Sequence, residues 1–166
     1  RLVDGHGHTP LQGAPGQVSI RGANLFSGYW PDGDDAPDED GWWATGDVGF
    51  LAPDGQLFLV DRVKELVIVS GFSVYPTEIE DVVAEVPGVR EVAVIGVPDE
   101  RLGEVGKAFV VVLPGADLAE QSVIDHTREH LANFKIPRSV EFIDALPRNP
   151  GGKVVKPLLR QRSERA

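Results

Sequence analysis

The chain has 166 residues, 42% of them apolar and 25% charged, with a formal net charge of −10, the balance of a globular protein rather than a disordered one. That charge argues against nonspecific nucleic-acid binding, which needs a basic face, and the absence of cysteine excludes disulfides, thiolate nucleophiles and cysteine-held metals. No apolar run reaches membrane-spanning length and nothing resembles a signal peptide, so the expected location is the cytoplasm.

Residues 1–15 are rich in Gly, Pro, His and Asp and begin without methionine or a capping signal; they read as a severed connection. His6 and His8 form an H-x-H pair with no further ligand close in sequence, so a solvated loop is the reading and no metal site is assigned. Residues 17–21 alternate as a short strand. An acidic loop over 31–40 carries Asp32, Asp34, Asp35, Asp38, Glu39 and Asp40. Then comes Gly41-Trp42-Trp43-Ala44-Thr45-Gly46-Asp47, on its residues alone a β-turn after a pair of core tryptophans. Pro53-Asp54-Gly55 turns the chain between strands at 48–51 and 56–60.

Two apolar, β-rich runs at 57–60 and 66–69 flank a charged break, Asp61-Arg62-Val63-Lys64-Glu65. A loop, Ser70-Gly71-Phe72-Ser73, follows. Pro76 opens a helix predicted over 76–86, with Ile79, Val82, Val83 and Val86 at i, i+3, i+4 and i+7. Strands are predicted at 91–97 and 108–113, and Asp117 with Glu120 predicts a capping box for a helix over 118–131. A short strand at 140–143 is the last predicted element. The fold class is α+β: a sheet of about three strands with two helices on it, preceded by a small all-β piece.

The closing run Pro147-Arg148-Asn149-Pro150-Gly151-Gly152-Lys153-Val154 is not a nucleotide P-loop, since Pro147 stands where Gly is required and Val154 where Ser or Thr should be. Arg148, Lys156, Arg160, Arg162 and Arg165 crowd the last twenty residues. They fit a solvated basic tail as well as anion-facing cations.

The run Asp61-Arg62-x-Lys64-Glu65, continued by Gly71-Phe72-x-Val74-x-Pro76-x-Glu78-Ile79-Glu80, resembles the hinge region of the adenylate-forming enzymes: acyl-CoA synthetases, luciferases and peptide-synthetase adenylation domains. Thr45-Gly46-Asp47 and the Lys153 loop resemble two further motifs of that family, in the expected order. The sequence departs from the common pattern at Ala44, Asn149 and Gly151, which leaves Asp47 and Lys153 in register.

The resemblance implies roles residue by residue. Asp47 would accept hydrogen bonds from the ribose hydroxyls of ATP or AMP, and Arg62 would bind the same ribose; a buried inter-strand arginine satisfied by Asp61 is the bland alternative. Lys64 would be the pivot of a small lid domain. Ser70, Gly71, Phe72 and Ser73 would line the channel for the pantetheine arm of CoA, although Gly71 fits a plain turn equally well. Lys153 would bridge the substrate carboxylate and the α-phosphate. Arg90, Arg101 and Lys107 are unranked candidates for the CoA phosphates.

The implied organisation is the end of a truncated AMP-binding domain at 1–61, a hinge at 62–65 and a C-terminal lid at 66–166. The implied function is that of a C-terminal fragment of a fatty-acid-CoA ligase using ATP, CoA and Mg. Its partners would be the carboxylic acid, CoA and its own missing N-terminal domain, which would hold the Mg, and the fragment alone would be inert. The alternatives are a fatty acyl-AMP ligase fragment and a stand-alone, non-catalytic binding module.

Overall fold

The computed structural model describes residues 1–165. The chain divides into two compact units, Arg1–Lys64 and Glu65–Ala166.

The first unit is an antiparallel meander of β1 (Leu2–Val3), β2 (Gly16–Ile20), β3 (Trp43–Leu51) and β4 (Leu57–Arg62), paired in that order. Leu2, Val18 and Val48 are its buried apolar residues. The pairing of β3 with β4 shifts register between Val48 and Gly49, a bulge that re-aims the side chains beyond it. Trp42 and Trp43 are not core residues. The ring of Trp42 lies under the guanidinium groups of Arg1 and Arg21, at 4.2 and 4.7 Å, and half-buried Trp43 meets Phe26 edge to face at 5.3 Å. The flat indole face attracts cations, so an aromatic pair next to arginines settles at the rim rather than inside.

The second unit is α+β, as expected, but richer than its apolar periodicity. β5 (Val67–Val69), β6 (Phe72–Val74), β7 (Val89–Asp99), β8 (Gly103–Val112) and β9 (Ser139–Phe142) form one five-stranded sheet. β7 and β8 are an antiparallel hairpin paired along nearly their whole length. β8 pairs with β5 at Val69–Gly103 and, in parallel, with β9 from Lys107 to Val110. Beyond the three strands expected at 91–97, 108–113 and 140–143, the sheet takes in the β-rich run at 66–69 as β5 and adds β6, which is too short to show a period of two.

Side chains alternate across β7 and β8, and each face has its own cover. Val94, Ala108 and Val110 pack with Ile79, Val83 and Val123, from α1 (Pro76–Ala84) and α2 (Glu120–His130). Ala93, Ile95, Phe109 and Val111 pack with Leu146 and with Leu159 of α3 (Lys156–Glu164). The unit is therefore three-layered, with a helix where a basic tail was one expectation. α3 escapes periodicity because Leu159 is its one buried residue, too few to form an apolar stripe.

The expected capping box is absent. α2 begins after Ala119, with no side-chain cap, and Glu120 Oε1 accepts the backbone N–H of Val140 at 2.8 Å instead. An edge strand leaves N–H groups unpaired, and Glu120 serves that need on β9.

Candidate functional site

The Thr45-Gly46-Asp47 segment lies on β3. Asp47 is the cross-strand partner of Arg62, and Arg62 Nε lies 3.2 Å from Asp47 Oδ1. The pair is open to solvent on one side, with Arg62 72% and Asp47 29% exposed in their side chains. This overturns the buried arginine as the alternative. Asp61 engages Arg62 through its backbone, its Oδ1 accepting the Arg62 N–H at 2.7 Å, while the guanidinium reaches outward. The hydroxyl of Thr45 donates to the Val18 carbonyl at 3.0 Å and accepts the Asp47 N–H at 3.1 Å. Thr45 thus ties Asp47 to β2 on one side while Arg62 holds it on the other. A carboxylate so placed retains lone pairs for vicinal hydroxyls.

Lys64 occupies a single 3-10 turn, Val63–Glu65, at the boundary between the two units. It is exposed.

Ser70 and Gly71 are the two central residues of the β5–β6 hairpin, with φ of +49° and +84°. Two successive positive values make the turn type whose twist matches the strands. Gly71 accepts that conformation without cost, while Ser70 is one of two non-glycine residues with positive φ among those described. Phe72 projects from β6 and stacks on Phe134, ring centroids 4.9 Å apart, with 57% of its surface exposed.

Lys153 sits on a closed turn. Gly152 N–H donates to the Asn149 carbonyl and Asn149 N–H to the Lys153 carbonyl, both at 2.9 Å; Gly152 adopts φ +80°. The side chain of Asn149, where the family pattern has Thr, accepts the Lys153 N–H on Oδ1 at 3.0 Å. Either residue supplies an oxygen for that bond, so the departure keeps the turn intact. Arg148 donates to the Gly152 carbonyl at 2.6 Å and to Glu91 on β7 at 2.8 Å. The Arg148 hydrogen bond holds the Glu91 carboxyl below its usual range. Lys153 is exposed, and its Nζ makes no hydrogen bond or ion pair among the described residues.

Three cations that follow it differ. Lys156 pairs with Glu80 at 2.8 Å, Arg160 with Glu65 at 2.5 Å and Arg162 with Glu141 at 2.6 Å. Lys107 also reaches Glu141, at 2.9 Å. Burial pushes the Glu141 carboxyl up, but its bonds to Lys107 and Arg162 outweigh that and hold it low. Arg148, Lys156, Arg160 and Arg162 are thus neither a solvated tail nor an anion patch; carboxylates of their own unit have taken their charges. Sequence reasoning left Arg148, Glu91 and Asn149 without roles at Lys153. With Glu91 and Arg148 separated by 57 positions, the triad has no local spacing to reveal it.

Residues 78–153 match the family described as AMP-binding enzyme C-terminal domain. Over 149 residues the chain is 56% identical to 3-[(3aS,4S,7aS)-7a-methyl-1,5-dioxo-octahydro-1H-inden-4-yl]propanoyl:CoA ligase of Mycobacterium tuberculosis H37Rv, covering 88% of this chain and 29% of that one. The chain belongs to the adenylate-forming, AMP-binding enzyme family. It is also 43% identical over 162 residues to the long-chain-fatty-acid–CoA ligase of Escherichia coli O157:H7, with coverage of 96% and 29%. Among solved structures, ATP-bound MatB from Rhodopseudomonas palustris matches with a TM-score of 0.92 at 40% identity, over 99% of this chain and 33% of that one. The chain spans about 30% of the length of the curated relatives it matches. No helix among the described residues is long and apolar enough to cross a membrane.

Proposed function

We propose that this chain is the C-terminal part of an ATP-dependent carboxylic acid–CoA ligase, acting on a fatty acid or a similar acid. The observation that carries this reading is the contrast within the closing run. Arg148, Lys156, Arg160 and Arg162 are each paired with a carboxylate, while Lys153 is held at a turn tip with its ammonium in no ion pair among the described residues. A cation presented at a turn tip with no carboxylate taking its charge is available for charge outside its own unit. Developing negative charge, where a carboxylate oxygen attacks the α-phosphorus of ATP, is such a charge. The attack forms a C–O–P bond and breaks the bond to the pyrophosphate leaving group, giving acyl-adenylate.

In this reading Asp47 accepts hydrogen bonds from the ribose hydroxyls and Arg62 donates to the same sugar. Their cross-strand pairing and solvent-facing placement support it. The second half-reaction, in which the CoA thiolate displaces AMP, is assigned to a rotation about Lys64 that withdraws Lys153. It also brings the Ser70-Gly71-Phe72-Ser73 hairpin to the pantetheine channel. A few residues able to absorb a backbone change suffice for such a pivot.

Mg is assigned to the part of the protein outside this chain. The one grouping of potential metal ligands among the described residues, Glu85 with His126 and His130, does not fit an ion that prefers oxygen donors. A cytoplasmic location accompanies ATP and CoA as substrates. The partner of the first unit is then the remainder of the AMP-binding domain, which the exposed Leu57, Phe58 and Leu59 of β4 suit as a packing surface. The chain alone, without that domain, is inert.

The test is Lys153→Ala in the whole protein. Adenylate formation, read as ATP–pyrophosphate exchange, is expected to be abolished, while thioester formation from supplied acyl-adenylate survives. Equal loss of both steps overturns the assignment, as does normal CoA transfer after Lys64→Pro. Turnover of ATP, fatty acid and CoA by this chain alone refutes its inertness.

A further inference from the structure

A second polar cluster lies apart from Lys153, Asp47 and Arg62, where α1 meets α2. Glu85 caps the C-terminus of α1. His126 and His130 stand four residues apart on α2, a spacing that sets both imidazoles on one helix face. One ligand atom from each of the three residues lies within 4.8 Å of the others. His126 Nε2 is 3.9 Å from Glu85 Oε2, and the two rings are 4.4 Å apart, tilted by 34°.

Two further observations point to what the cluster would take. His126 Nε2 is shielded from solvent and has no hydrogen-bond partner. The Glu85 oxygen is too far to be one, since such bonds close at about 3.2 Å or less. A buried ring nitrogen left so is costly unless something else satisfies it. His130, in turn, has its Nδ1 at 2.8 Å from the His126 carbonyl oxygen. A carbonyl only accepts, so Nδ1 carries the proton, and in the neutral ring Nε2 keeps its lone pair. A backbone carbonyl fixing one nitrogen while the other stays open is the outer-shell arrangement of metal-binding histidines.

We propose that Glu85, His126 and His130 form a binding site for a divalent transition-metal ion of the zinc class, which clasps the end of α1 to α2. Two imidazoles and one carboxylate suit Zn²⁺, Ni²⁺ or Cu²⁺ and not Mg²⁺ or Ca²⁺. Metal bonds of about 2.0–2.2 Å require the donors to draw closer than they stand. Glu85, with its side chain 67% exposed, is free to rotate inward, and the exposed ring of His130 can tilt about its bond to the His126 carbonyl. The fourth position is left to water. The site is structural, separate from ATP and CoA, and does not depend on the function proposed above.

The experiment uses the whole protein, without a histidine tag and stripped with a chelator, titrated with zinc chloride alone. One equivalent of Zn²⁺ is expected to bind, with Tm rising by about 5 °C at a hundredfold excess over Kd. Glu85→Gln and His130→Asn, both at exposed positions, are each expected to weaken binding at least about tenfold and to leave the metal-free Tm unchanged. His6→Asn with His8→Asn, in the terminal loop, is expected to bind as the unaltered protein does. Absence of a stoichiometric zinc site overturns the proposal. So does zinc binding that persists in Glu85→Gln/His130→Asn, or that disappears with the His6 and His8 pair.

Discussion

Arg148 and Glu91 are joined at 2.8 Å, and through that bond the turn bearing Lys153 is fastened to β7. The other arm of the same guanidinium holds the carbonyl of Gly152, one residue before the lysine. A planar fork anchored at both ends sets the direction in which the turn tip points. Glu91→Gln removes the charge that fixes the fork, and Arg148→Ala removes the fork. In the whole protein both are expected to slow ATP–pyrophosphate exchange by about tenfold to a hundredfold, the range for a reactive group displaced by about 1 Å. Thioester formation from supplied acyl-adenylate should change little under the proposed rotation, which withdraws Lys153 at that step. Loss of both half-reactions together would mean that Arg148 serves folding instead.

Stability should fall in acid, in a window to which Glu91 and Glu141 contribute alongside Asp4 and Asp99, whose carboxyls are also held low. Glu91 and Glu141 both have lowered pKa values in the folded chain: Glu91 through Arg148, and Glu141 because Lys107 and Arg162 outweigh its burial. The unfolded chain therefore binds protons more readily than the folded one at these two sites. Their contribution is fully present above the ordinary glutamate value near 4.5. It is lost as pH falls through the folded values. Urea midpoints measured from pH 7 to pH 3 are expected to drop below about pH 4.5. Glu91→Gln/Glu141→Gln should be less stable at neutral pH and show a shallower acid decline. An unchanged slope in the double variant would place the acid sensitivity elsewhere.

What could be read from the residues divides by range. The helix from Pro76 and the β7–β8 hairpin declare themselves through apolar spacing, since Ile79, Val83, Val94 and Val110 are buried where a period of 3.6 or 2 puts them. Thr45, Asp47 and Arg62 were legible as candidates only through an ordered motif. What the motif could not say is that Arg62 lies across from Asp47, because register depends on a bulge at Val48 and Gly49. α3 and β6 were hidden for the opposite reason: each is too short or too polar for local pattern to count, and long-range pairs such as Arg160 with Glu65 settle them. Glu120 shows a local rule yielding to a distant demand, as its carboxylate leaves the helix start for the edge of β9.

Glu80 is a junction of that kind. Its Oε1 accepts the Val94 N–H at 2.7 Å and meets Lys156 Nζ at 2.8 Å, with both side chains less than a fifth exposed. Glu80→Leu leaves the ammonium of Lys156 and an N–H of β7 without their partner at once. The expected cost is about 2–3 kcal/mol, below the range for a fully buried pair because some solvent reaches the site. Lys156→Met in the same background should recover part of it, since the uncompensated charge is then gone. The check is a double-mutant cycle in urea; additive effects would show that the two residues do not interact.

The apolar contact of α3 with the sheet rests on a single buried side chain. Leu159 is 1% exposed against Ile95 and Phe109 on the sheet, while its neighbour Leu158 is 48% exposed. Truncating a buried leucine removes its transfer energy and leaves a cavity, together about 2–5 kcal/mol. An exposed leucine truncated to alanine changes stability by roughly 0.5 kcal/mol or less. Leu159→Ala is therefore expected to lower the urea midpoint clearly, with Leu158→Ala near the unaltered chain. Because α3 begins at Lys156, three residues after Lys153, the same change should raise hydrogen exchange at the Lys153 and Val155 amides, which donate to Asn149 Oδ1 and to the Pro147 carbonyl. Faster exchange there in Leu159→Ala but not in Leu158→Ala would tie the turn to the helix that follows it. Equal exchange in the two variants would show that Arg148 and Asn149 hold the turn without help from α3.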